Sequence, residues 1–232
     1  MIVDNEIITR PNELVFVHHY YKSSNVNIDT VSNMNADIMA YDTSLSDGTL
    51  KIILLVIGGD RVDTIKRVSA LISMYTSKCK IVLDEAEPEF IYDCVFQSYS
   101  TDMIDDCKYM VTLTFTANKY NRYSTVVRLK GNTEYTLNVG GTWKTNMRIS
   151  AIVPNTLSSV VINGITVSNL SADVSTNVVV VDGINGVITC NGENKFLDTD
   201  IIEFPMLTPG DNTITISNEL IPIAITYNER FI

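Results

Sequence analysis

The sequence predicts a mainly β protein of two domains with a single helix. Three observations carry that expectation. Apolar and polar residues alternate with period two over most of the chain. Asn-Gly, Asp-Gly and Pro-Gly pairs recur through the second half, where they punctuate short Val/Ile/Thr runs. One segment, 60–75, carries helical spacing instead.

In chain order, Glu13–Val17 is a β-rich run and 36–41 a second candidate, ended by the turn-forming Ser46-Asp47-Gly48. Thr49–Ile57 is nearly all apolar and reads as a strand buried on both faces, stopped by Gly58-Gly59. Val62, Ile65, Val68, Ile72 and Tyr75 then fall on one helical face, with Asp60 placed as N-cap and Asp63 in the first turn. Cys79–Asp84 reads as a strand. Glu89–Tyr99 and Asp106–Ala117 read as a hairpin, with Thr101–Asp106 as its polar loop.

A boundary is expected near Lys119–Ser124, giving domains 1–119 and 120–232. The first holds 17 acids and 10 bases and the second 10 and 7, for formal charges of -7 and -3. Beyond the boundary, strands are expected at Ser159–Ile162, Asn177–Val181, Val187–Cys190, Ile201–Phe204, Thr213–Ser217 and Ile221–Tyr227, forming an antiparallel sandwich.

The 232 residues are 45% hydrophobic and 19% charged. A chain of that length and composition can bury a core. The net charge of -10, without a basic run, argues against specific nucleic-acid binding. Such binding needs clustered cations to displace counterions. The apolar run Ile52–Ile57 is far too short to span a bilayer, so no membrane insertion is expected. The start of the chain carries an early acid and no basic block, so no secretory signal is read. Cys79, Cys94, Cys107 and Cys190 have neither metal-pair nor disulfide-framework spacing, and reduced cytosolic thiols are expected. Cys94 and Cys107 could face each other across the hairpin.

Catalytic chemistry finds little support. His18 and His19 are the only histidines, and neighbours on a strand point to opposite faces. The acids Asp84, Glu85, Glu87 and Glu89 surround Pro88 and read as a solvated turn; Asp102, Asp105 and Asp106 read as a charged loop tip. Gly58-Gly59 and Gly140-Gly141 lack phosphate-loop spacing. No enzyme, cofactor or metal is expected. Trp143, the only tryptophan, suits either a sandwich core or a sugar-stacking platform, and a carbohydrate-binding module recognising host-surface glycans is the alternative function.

From Val160 to Arg230 the order of motifs becomes specific. Asn163-Gly164, Asp182-Gly183 and Asn191-Gly192 lead to Phe204-Pro205, Leu207, Pro209-Gly210, Asn212 and, near the end, Tyr227. This run resembles the C-terminal galectin-like domain of siphophage distal tail proteins. The strands, helix and hairpin before it are similar, more loosely, to the N-terminal domain of that family. The resemblance implies an N-terminal β-barrel or sandwich-like domain with one helix, followed by a galectin-like antiparallel β-sandwich. It also implies a virion structural protein at the tail tip, made in the bacterial host cytoplasm. In that family a homohexameric ring joins the tail tube protein to the tail-associated hub protein, and the galectin-like domain supports receptor-binding proteins. With 232 residues and short inferred loops, the inserted carbohydrate-binding module of some members is not expected.

Overall fold

The computed structural model describes residues 1–4, 6–7, 13–23, 26–32, 38–45, 47–75, 78–83 and 86–232. Asp84, Glu85, Ser46 and the first residues of the expected strand at 36–41 lie outside them. The chain divides into two compact units, Met1–Arg122 and Tyr123–Phe231.

The first unit contains β1 (Ile2–Val3), β2 (Glu6–Ile7), β3 (Leu14–Lys22), β4 (Val26–Ser32), β5 (Ile38–Leu45), β6 (Gly48–Ile57), α1 (Arg61–Ser73), β7 (Lys78–Leu83), β8 (Glu87–Asp105) and β9 (Lys108–Asn121). One antiparallel sheet runs in the order β2-β1-β7-β8-β9-β6-β3, and β4 pairs with β5 as a separate hairpin. Strand alternation puts Leu50, Ile52, Leu54, Val111, Leu113 and Phe115 on one face, all fully buried. There they pack against Val68, Leu71 and Tyr75, so α1 covers that face.

The opposite face of β6 is not covered in the same way. Lys51 is exposed, and Ile53, Leu55 and Ile57 are half-buried. This corrects the expectation of burial on both faces: an apolar run meets the requirement for a strand whether one face or two are packed.

Helix α1 starts as expected. Asp60 Oδ1 accepts a hydrogen bond from Asp63 N at 2.8 Å, and Asp63 Oδ2 accepts one from Gly59 N at 2.8 Å. The two bonds form a reciprocal cap. The expected face is met in part: Val68 and Tyr75 are buried and Ile72 packs against the core, whereas Val62 and Ile65 are exposed at 61% and 47% and Thr64 and Leu71 point inward. Thr64 can be buried because its hydroxyl donates to the Asp60 carbonyl at 2.7 Å. A buried hydroxyl with a partner carries no desolvation penalty of the unpaired kind. The same residue lies so close to Gly58 that a Cβ there would collide with Thr64 Oγ1.

The hairpin of β8 and β9 is longer than its apolar pattern suggests. Thr101–Asp105 is strand, paired through Asp105↔Lys108, so the expected loop shrinks to Asp106-Cys107. Cys94 lies opposite Ala117 in β9 and opposite Cys79 in β7, away from Cys107, and all four cysteines are free. Burial pushes the Cys79 thiol up to about 11 and the Cys94 thiol further still. Thiols held protonated in this way are inert as nucleophiles.

The second unit contains β10 (Thr125–Leu129), β11 (Glu134–Val139), β12 (Thr145–Pro154), β13 (Val160–Ile162), β14 (Ile165–Val167), β15 (Thr176–Asp182), β16 (Val187–Cys190), β17 (Glu193–Asn194), β18 (Met206–Leu207), β19 (Gly210–Thr215), β20 (Ile223–Tyr227) and β21 (Arg230–Phe231). The main sheet is ordered β10-β20-β12-β15-β16-β17, with β18 also paired to β12; β11–β19 and β13–β14 form smaller antiparallel pairs. Ile149, Val153, Val179, Ile188, Ile214 and Ile225 lie in one core. Asn163 and Asn191 both adopt positive φ, 48° and 52°. That is the geometry of a tight hairpin turn, and the two residues join β13 to β14 and β16 to β17. The expected strand at Ile201–Phe204 is irregular backbone instead, with Ile202 fully exposed.

Candidate functional site

Three features of the structure bear on function: two open sheet edges, a polar cluster beside one of them, and the turn region of the second unit.

The edges arise from the lengths of the strands. β7 reaches along β8 only as far as Lys78↔Val95. Beyond that point β8 continues through Asp105 with β9 on one side and, among the described residues, no strand on the other. This stretch carries exposed Tyr99, Met103 and Ile104 together with Asp102 and Asp105. At the far end of the sheet, β3 pairs only with β6 among the described strands and exposes Val15, Val17 and Tyr20, along with His18 and Lys22. A β-bulge between Phe16 and His18 leaves both Val17 and His18 exposed. An open edge presents unpaired N–H and C=O groups and so a template for another strand.

The polar cluster corrects the reading of Glu87 as part of a solvated turn. Glu87 begins β8 and is three-quarters buried. Its Oε1 lies 3.0 Å from Lys119 Nζ, its Oε2 accepts a hydrogen bond from the Tyr92 hydroxyl, and His19 Nε2 is 3.8 Å away. Lys119 Nζ sits 3.9 Å from the centroid of the Phe90 ring. Its charge therefore meets both a carboxylate and a π face. Burial raises the Glu87 pKa, but the hydrogen bonds from Tyr92 and Lys119 outweigh it and hold the carboxyl below its ordinary range. Burial also pushes His19 down, against the raising effect of Glu87. The cluster ties β3, β8 and β9 together. Nothing in the sequence flags it, because its members come from three distant segments.

In the second unit the C-terminal motif residues occupy one turn and its surroundings. Phe204 is half-buried and packs on the core, and Leu207 is buried opposite Thr145. Pro205 lies beside Gly183. Pro209 is exposed, and Gly210 adopts φ 93°. Asn212 closes the turn. Its Oδ1 accepts from Thr208 N at 2.8 Å, and its Nδ2 donates to the carbonyls of Thr208 at 2.7 Å and Gly210 at 3.0 Å. An Asn side chain suits this role because it carries both an acceptor and donors at backbone reach. Tyr227 is buried between Thr125 and Met147 in the main sheet, and burial raises its pKa. Trp143 is half-buried and bridges the backbone of Arg230. These residues hold the fold and carry no reactive arrangement. Asp102, Asp105 and Asp106 are exposed around the hairpin tip. Among the described residues no group of three or more His, Cys, Asp or Glu could hold a metal ion, and no helix is long and apolar enough to cross a membrane.

Residues 140–231 match the family model described as siphovirus-type tail component, C-terminal domain. No curated protein matches by sequence. Among solved structures, the crystal structure of the SPP1 Dit protein, described as a paradigm of the hub adsorption apparatus in phages infecting Gram-positive bacteria, matches with a TM-score of 0.72 and 14% identity, covering 100% of this chain and 98% of that one. Structures of the phage P2 baseplate in its activated conformation, with Ca and with Sr, match at TM-scores of 0.46 and 0.45 with 8% and 9% identity, each covering 94% of this chain and 91% of the other. Over its whole length the chain therefore has the fold of the SPP1 Dit protein, and residues 140–231 are similar to the siphovirus-type tail component, C-terminal domain.

Proposed function

We propose that this structural phage tail protein forms a ring at the tail tip, a homohexamer joining the tail tube protein to the hub protein beneath it. The second unit then supports receptor-binding or other baseplate parts, and the protein works by assembly without catalysis.

The observation that carries this reading is the pair of open edges. Strands β8, β9, β6 and β3 alternate in direction, so β8 and β3 run antiparallel within one copy. Rotation about an axis along the strands preserves each copy's strand direction. The β3 edge of one copy therefore meets the free edge of β8 in the next as another antiparallel neighbour, and every joint around the ring repeats the same pairing. The lengths agree: nine residues in β3 against Phe96–Asp105 in β8. The edges also differ in charge, with Lys22 on β3 and Asp102 and Asp105 on β8. That difference disfavours the pairing of one β8 edge with another. Heterologous contacts that close in this way give rings, and the pairing removes two edges that would otherwise invite aggregation.

Immunogold labelling of intact phage particles tests the location. Gold at the tail end distal to the capsid supports the proposal; gold along the tail shaft or on the capsid removes it.

A further inference from the structure

We infer that an exposed apolar patch on the second unit, made by Ile184, Val187, Phe196, Leu197, Ile202 and Met206, is the docking surface for a different protein of the tail tip, one that presents an apolar pocket rimmed by lysines and arginines. The inference rests on the reading that the second unit supports baseplate parts. It adds which surface does so and the chemistry of what it receives.

Two segments make the patch. The loop from β15 to β16 supplies Ile184 and, at the start of β16, Val187; the stretch 196–206 supplies the rest. The two lie side by side. Lys195 N donates to the Ile188 carbonyl at 2.8 Å, which sets Phe196 beside the start of β16. The rings of Phe196 and Phe204 are 6.4 Å apart, and Phe204 in turn approaches Gly183, next to Ile184. Met206 lies opposite Asn146 in β12, and the carbonyl of the adjacent Met147 accepts from Gly183 N at 3.0 Å. Leu197 and Ile202 leave their whole side chains in water, and the other four are exposed as well.

The exposure is fixed by hydrogen bonds. Ser168 N donates to the Asp198 carbonyl at 2.9 Å, Asn169 Nδ2 to Asp198 Oδ1 at 2.6 Å, and Thr166 N to Asp200 Oδ1 at 2.7 Å. In the other segment Asp182 Oδ1 accepts from Ile184 N and Asn185 N, each at 3.0 Å. A slack loop could fold its apolar side chains back on the core, whereas these segments hold them out. A patch displayed in this way marks an interaction site, and its partner pays little to order it. Charge selects the partner. Residues 193–206 hold four acids, Glu193, Asp198, Asp200 and Glu203, against one base, Lys195, for a formal charge of -3. Lys195 pairs with Asp198 at 2.9 Å, which leaves Glu193, Asp200 and Glu203 exposed beside the apolar residues. Arg148, the exposed cation near the other segment, already faces Asp182 at 3.9 Å. Two such acidic patches repel each other, which disfavours a second copy of this chain, and an anionic membrane surface is repelled likewise. An apolar centre with a charged rim is the anatomy of a protein–protein contact, and the rim calls for cations opposite.

The composition of phage particles tests this. Particles are grown with the chain supplied in trans, either unaltered, with Leu197→Asp and Ile202→Asp together, or with Leu220→Asp at an exposed turn outside the patch. The patch variant should enter particles in normal amount while one other virion protein is depleted several-fold; Leu220→Asp should leave the composition unchanged. A second arm keeps the patch apolar and so stands even if the double variant fails to fold. With p-benzoylphenylalanine in place of Leu197, ultraviolet light should join the chain in intact particles to that same virion protein, at a site flanked by Lys or Arg. The same group in place of Leu220 should give no such adduct. Unchanged particle composition with the patch variant, or equal depletion with Leu220→Asp, overturns this inference alone and leaves the tail-tip reading standing. So does an adduct between two copies of this chain, or binding of the purified chain to phosphatidylglycerol vesicles that the patch variant abolishes. Gold away from the tail end removes the reading on which the inference rests.

Discussion

The two units close their sheets by different means. In the second, local turns set the short hairpins, with Asn163 and Asn191 turning β13 into β14 and β16 into β17 and the Asn212 side chain clamping the turn entering β19, while β10, β11 and β12 pair with distant segments, as in Thr125↔Tyr227, Glu134↔Thr215 and Met147↔Tyr227. In the first, β8 and β9 form one long hairpin closed at Asp106-Cys107, β6 pairs with β9 from Gly48↔Ala117 onward, and the cross-strand cluster of Glu87, Tyr92, Lys119 and His19 ties β8 and β9 to β3. That sheet also leaves the edges of β3 and distal β8 open among the described strands. Both sheets end in edge strands, but only in the first do long strands, β3 and distal β8, stand open as templates for another strand among the described residues.

Truncations in the two cores should cost most. Leu113→Ala should destabilise by about 2–5 kcal/mol, and Ile149→Ala by a similar amount, as expected for large-to-small changes at buried sites. Each residue is fully buried, and each belongs to a different cluster. Hydrogen exchange should show protection lost mainly in the mutated unit; equal loss in both would mean that the two cores behave as one. Asn212→Ala should cost about 1–2 kcal/mol in chemical denaturation, the scale for losing turn hydrogen bonds that leave backbone groups unpaired. Three such bonds end on that side chain.

The polar cluster predicts a pH-dependent contribution to the stability of the first unit. The folded pKa of Glu87 lies below its unfolded value, so its contribution is present above the ordinary carboxylate range and is lost as pH falls through the lower folded value. The folded pKa of His19 is also lowered, so its contribution declines as pH drops below the unfolded value of 6.5. Glu87→Gln should flatten the acid limb of a stability–pH curve. An unchanged acid limb would show that other groups govern it.

Substitutions on the exposed side of α1 should matter least. Val62→Ala and Ile65→Ala should shift stability by no more than about 0.5 kcal/mol, while Val68→Ala should cost more than about 1 kcal/mol. Costs at Val62 and Ile65 as large as that at Val68 would restore the face that apolar periodicity alone selects.

These contrasts also explain what can be read from the sequence. The β-rich class, the helix with its Asp60 cap, the hairpin and several strands of the second unit are visible because spacing and turn residues encode them locally. The inward face of α1 is hidden because Thr64 is polar yet buried, with its hydroxyl satisfied within the helix. Strand β8 beyond Tyr99 is hidden because an exposed edge needs no apolar alternation. The strands from Thr125 to Pro154 are partly encoded: Met147, Ile149, Ala151 and Val153 alternate with Asn146, Arg148, Ser150 and Ile152, and Gly141, at φ 86°, bends the chain shortly before β12 begins. The Glu87 cluster and the open edges depend on which strands lie next to each other, and no local pattern carries that.

Joining of copies through the open edges can be read from the solution mass of three proteins by light scattering after size exclusion. These are the unaltered chain, Tyr99→Lys at the free β8 edge, and Ile184→Lys at an exposed loop of the second unit. Each chain has a mass of 25.8 kDa. A closed hexamer then has a mass of about 155 kDa. The unaltered chain and Ile184→Lys should both show the hexamer mass, and Tyr99→Lys should give folded monomers. A monomeric unaltered chain at every concentration, or a ring that survives Tyr99→Lys while Ile184→Lys breaks it, would contradict assembly through these edges.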